Sequence, residues 1–78
     1  MDRDLLEQRL RQAEQAVSLG LELIAEQRIA VLMFEAWGQD AAVARRLLGN
    51  FEAMQERHLD DLETARLQLE AADQRRVA

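Results

Sequence analysis

The sequence contains no cysteine, no proline, no tyrosine and no lysine. Without cysteine there can be no disulfide and no thiolate metal site, and the redox compartment is left open. Without proline the strongest helix breaker is missing, and only Gly20, Gly38 and Gly49 remain to interrupt a helix. The longest uncharged apolar run, Ile29 to Phe34, is far shorter than the ~20 residues that span a bilayer. The opening stretch, MDRDLLEQ, is acidic and lacks the apolar centre of a signal peptide, so a soluble cytoplasmic setting is the default expectation. Basic stripes are absent too. The net charge is -5, Arg45–Arg46 and Arg75–Arg76 are isolated pairs, and no aromatic residue interleaves with them, which argues against a nucleic-acid partner. All ten basic residues are arginine, as in the coding of GC-rich bacterial genomes.

What is present suits helices. Hydrophobic residues make up 49% of the chain and charged residues 32%, a combination that favours amphipathic helices over disorder. Ala, Leu, Glu, Gln and Arg dominate, and these are the best helix formers. A chain of 78 residues is one small domain at most, and is marginal unless its packing is very regular or it associates. One stretch, WGQDAA, punctuates it. Gly38 can take the left-handed conformation that ends a helix, and Asp40 can cap the next one. Asp2 or Asp4 can cap the first. The expectation is an all-α fold over residues 1–78, with helices over about 4–37 and 41–74 joined by a turn at 38–40. Each helix would be about 50 Å long, and the short connection makes them antiparallel.

Each helix carries a seam. In the first, Leu6, Leu10, Ala13, Val17, Gly20, Ile24, Gln27, Val31 and Phe34 alternate in steps of four and three. In the second, Ala44, Leu48, Phe51, Gln55, His58, Leu62, Ala65, Leu69 and Ala72 do the same. This is the heptad pattern of a coiled coil. Folded at Gly38–Gln39, the two series meet in one register, from Phe34 facing Ala44 to Leu6 facing Ala72. Ile24 then faces Gln55, and Gly20 faces His58.

A second stripe runs along helix 1: Ala16, Leu19, Leu23, Glu26, Ala30, Met33 and Trp37. It lies roughly 110° around the helix from the seam. A helix in a two-helix hairpin needs one apolar stripe, so a second stripe implies a second neighbour. On helix 2, Val43, Leu47 and Met54 flank the seam on the side that lies beside Leu23 and Ala30. Leu19, Leu23, Ala30, Met33, Trp37, Val43, Leu47 and Met54 are therefore the candidate protein-binding residues, forming one patch at the turn end. Such a patch exceeds what an ordinary monomer leaves in water, and Trp and Met suit interface cores. The plainer alternative is a generously wide amphipathic stripe. Leu21, Ile29 and Leu32 fall outside the patch, on other flanks.

Chemistry finds little support. His58 stands alone on the seam, and a di-iron bundle needs Glu-x-x-His in repeated copies where this chain has Gln55-x-x-His58 once. Packing of its ring into the gap left by Gly20 is the expectation, with a nitrogen bonded to Gln55, Asp61 or water. Gln27 and Gln55 are seam polar residues suited to fixing register. Glu52, Glu56, Asp60, Asp61 and Glu63 spread around helix 2 among arginines as a solvated face does. No phosphate-binding loop, nucleophile motif or metal motif is present. The expectation is a non-enzymatic chain with no cofactor, no metal and no small-molecule substrate.

From Ala13 to His58 the pattern AEQ-V--G---IA-Q followed by G-D-A-ARRLL--FE--Q--H resembles a group of small helical-hairpin proteins from proteobacteria that carry no assigned activity. The resemblance implies the hairpin and nothing catalytic. In that group positions 19, 21, 23, 29, 33 and 37 are polar, with Glu, Arg or His. Here they are Leu19, Leu21, Leu23, Ile29, Met33 and Trp37. The seam is kept while the outer face has become apolar, as in a natural scaffold redesigned to bind a protein. A divergent member that self-associates into a homodimeric four-helix bundle would carry the same change.

Overall fold

The chain forms two long α-helices packed against each other as a hairpin. The computed structural model describes the backbone of residues 2–77 and the side chains of residues 2–75. Arg76, half of the second arginine pair, therefore has its side chain outside the described residues. Helix α1 spans Arg3–Ala36 and α2 spans Ala42–Val77. The second helix runs past the expected end at 74 because neither proline nor glycine follows Ala72 to stop it. Together the helices make a rod 63 × 14 × 14 Å.

The ends follow from local chemistry. Asp2 caps α1, its carboxylate accepting the Asp4 N–H at 3.2 Å. Gly38 has φ +69°, where a side chain would be strained. That conformation lets the Gln39 N–H reach the Phe34 carbonyl at 2.8 Å and the Gly38 N–H reach the Glu35 carbonyl at 3.1 Å. The paired bonds are a Schellman stop. Asp40 then accepts the Ala42 N–H at 2.9 Å and starts α2.

Burial follows the heptad seam. Leu6, Gly20, Ile24 and Val31 of α1 pack against Ala44, Gln55, Leu62 and Ala65 of α2. Leu10, Ala13, Val17, Leu48, Phe51, Leu69 and Ala72 are half-buried on the same line. The most enclosed apolar side chain is Ala41, 2% exposed, which clusters with Val31 and Ala44. Carrying the α2 seam back one three-residue step from Ala44 reaches Ala41. Phe34, at the other edge of that cluster, remains 37% exposed, because the chain turns away and leaves only alanines opposite. Among the described residues no large side chain is wholly enclosed. Two helices can cover each other along one line only.

The pairing at the middle of the seam differs from the expected one. Gly20 meets Gln55, not His58. A Cβ built on Gly20 would overlap the Gln55 amide, so the amide and not the imidazole fills the notch. Gln55 Nε2 donates to the Val17 carbonyl at 2.9 Å, and Gln27 Nε2 donates to the Ala44 carbonyl at 3.0 Å. The two seam glutamines thus each reach across to the opposite main chain. Among the described residues His58 makes no hydrogen bond. It is half-buried beside a shallow groove with Ala13, Ala16, Asp61 and Ala65.

Candidate functional site

Position within the heptad separates the two flanks of the hairpin. With the seam residues at a and d, Leu23, Ala30, Trp37, Leu47 and Met54 fall at g. Leu19, Met33 and Val43 fall at c, one helical step further out. In an antiparallel pair the g flanks of the two helices lie together on one side and the e flanks on the other. The geometry that makes the hairpin therefore sets two chemically different sides.

At the turn end the e side carries ion pairs. Glu35 accepts from Arg45 across the helices at 3.2 Å, and Arg28 faces Glu52 at 3.6 Å. One apolar pair of e positions, Leu21 and Leu59, follows along the same side. At the open end of the rod Arg3 bridges Glu7 of its own helix, at 2.9 Å, and Asp73 of α2. All these groups are partly solvated, so their energetic weight is small. Their effect is to occupy the flank with groups that want water.

The g side at the turn end is apolar. Trp37 is 63% exposed, Leu19 57% and Val43 75%. Met33, Leu47 and Met54 are each more than two-fifths exposed, while Leu23 and Ala30 are half-buried at the rim of the seam. Within α1, Leu19, Leu23, Ala30 and Met33 lie three, four or seven residues apart and share a helix face. Trp37 extends that face at the C-cap. Within α2, Val43, Leu47 and Met54 share another. Across the flank, Leu23 stands at the height of Met54 and Ala30 at the height of Leu47. The polar residues of this surface are Glu26 on α1 and Asn50 on α2, both at c and at one height near its centre, and Arg57, at c on α2 at the height of Leu19.

Beyond that side Leu21, Ile29 and Leu32 are well exposed on the turn-end half of α1, and Leu59 and Leu67 on α2. Leu21, Ile29 and Leu32 sit at e, f and b, so the turn-end half of α1 carries apolar side chains on every flank, among the charged Glu22, Glu26, Arg28 and Glu35. The same helical spacing that reveals the g and c stripe places them, but they belong to no single stripe.

Catalytic and ligand chemistry has little to build on. Among the described residues no group of three or more His, Cys, Asp or Glu side chains is gathered as a metal site requires. No helix among them is long and apolar enough to cross a membrane. A groove at the open end, lined by Leu6, Thr64, Leu67, Gln68, Ala71, Ala72 and Arg75, is largely apolar and holds no cluster of converging polar groups. Comparison of the chain with models of protein families, with curated proteins and with solved structures found no match.

Proposed function

We propose that the chain is a non-enzymatic protein-association module, a helical hairpin that offers its g and c side at the turn end to another protein surface. One observation carries this reading. The two flanks of the same hairpin differ at the turn end, one carrying the ion pairs Glu35–Arg45 and Arg28–Glu52 and the other bearing exposed Leu19, Met33, Trp37, Val43, Leu47 and Met54. Simple width of an amphipathic stripe would not discriminate between flanks. Trp37 and Met33 are the natural anchors, because large side chains that become enclosed carry most of the energy of an interface. Leu23 and Ala30 join the anchors to the seam.

The test is a substitution at Trp37. Its side chain is largely in water, so Trp37→Ala leaves helicity by circular dichroism unchanged. The association free energy should fall by on the order of 2 kcal/mol. It can be measured as self-association or against a protein purified on the immobilised hairpin. An affinity unaltered by Trp37→Ala and by Met33→Glu would remove this face from the function.

A further inference from the structure

We infer that the occupant of this face is a second copy of the chain, packed with both turns at the same end to form an antiparallel four-helix bundle. The inference rests on the association reading above and adds the partner and its register.

The accessible surface is 5965 Å² for 9.0 kDa. A compact protein of that mass exposes about 4,900 Å². The excess, about 1,100 Å², exceeds the ~800 Å² that each partner buries in a standard stable interface. A face-to-face pair of hairpins can remove that excess without refolding.

The side chains of two copies are also complementary. Place a two-fold axis parallel to the helices, and α1 of each copy lies against α2 of the other. The g and c positions then meet at equal heights. Met33 meets Val43 of the second copy, Leu23 meets Met54, and Ala30 meets Leu47. The polar residues coincide as well, Glu26 meeting Asn50 of the second copy and Asn50 meeting its Glu26. An amide can donate to that carboxylate, so the polar pair at the centre of the face is satisfied and fixes the register. Within one hairpin Glu26 makes no ion pair among the described residues. Now place the axis across the helices instead, with the turns at opposite ends. α1 then faces α1 of the second copy, so Glu26 meets its own like charge or, one turn off, an apolar residue such as Ala30, and is left without a partner either way. The isologous arrangement with turns together is the one in which like meets like from Leu23 to Met33, while Leu19 lies at the height of Arg57 of the second copy.

Two measurements test it. Sedimentation equilibrium of the pure chain should give twice the 9.0 kDa chain mass, and Met33→Glu with Trp37→Glu should return it to the chain mass with helicity kept. Next, a Met33→Cys chain and a Val43→Cys chain are prepared separately. Both positions are exposed, so both variants fold. Mixed and oxidised, they should form a disulfide-linked heterodimer, while each alone should not cross-link. A wild-type chain that stays at the chain mass at every concentration overturns the second copy but not the association face, which Trp37→Ala tests against a foreign protein. A dimer unaffected by Met33→Glu with Trp37→Glu overturns both. A dimer that dissociates in that variant but gives no mixed cross-link overturns the register and with it the inference.

Discussion

Gly20 and Gln55 decide the centre of the seam. Gly20 is buried, and Gln55 is 6% exposed with its Oε1 enclosed and without a hydrogen-bond partner among the described residues. The bond from Nε2 to the Val17 carbonyl orients the amide, and the missing Cβ of Gly20 makes room for its oxygen. An enclosed oxygen without a partner costs about 1–3 kcal/mol, so this residue serves register better than stability. The sign of one substitution follows. Gly20→Ala gains about 1 kcal/mol of helix propensity. It also drives the amide out of its notch, breaks its hydrogen bond and strands the buried donor, a loss of about 1–3 kcal/mol. The net expectation is destabilisation by about 1 kcal/mol. With Gln55→Ala already present the clash is gone, and Gly20→Ala should stabilise by about 1 kcal/mol. Urea unfolding of the four chains at one concentration closes the cycle, and additive effects would show that the two residues do not interact. The seam was legible at this scale but not the partner of Gly20. A heptad ladder orders Cα positions, and the long side chain of Gln55 reaches past its own level to a neighbouring step. The imidazole of His58 therefore found its notch already filled.

The helices themselves were legible because every local signal agrees. Asp2 and Asp40 cap, Gly38 stops, and nothing between them breaks a helix. Three of the bounds moved by one residue, and the end of α2, where no stop signal exists, moved by three. Ala41 was missed because the α2 series began at Ala44, although one more heptad step reaches it. Two glycines give the same substitution opposite outcomes. At Gly38, φ +69° makes an L side chain strained, so Gly38→Ala should cost about 1–2 kcal/mol. At Gly49, inside α2, nothing lies within 4 Å of an added Cβ. Gly49→Ala should therefore stabilise by about 1 kcal/mol through propensity alone. Thermal melts of the two variants under identical conditions check the contrast. A Gly38→Ala chain as stable as the parent would mean that the turn does not need its left-handed residue.

At the scale of the whole molecule the hairpin is a rod without an enclosed centre. Its radius of gyration is 17.8 Å, against about 11.5 Å for a compact domain of this length. The single seam leaves apolar side chains open on the flank that has no ion pairs at the turn end, and a second hairpin laid there would turn two open seams into one closed core. Association would then add to the stability of the folded hairpin, and that stability would depend on chain concentration. Raising the concentration tenfold adds about 1.4 kcal/mol per mole of dimer. For an assembly of this size that raises the melting temperature by about 3–6 °C. A chain that folds alone should melt at one temperature whatever its concentration. Calorimetry over a hundredfold range of concentration separates the two behaviours. Met33→Glu with Trp37→Glu should abolish the slope and lower the midpoint at high concentration, because the two carboxylates would be buried against the second copy without partners. A concentration-dependent midpoint that persists in this variant would place the contact elsewhere, with Leu21, Ile29 and Leu32 the most exposed of the remaining apolar side chains on α1.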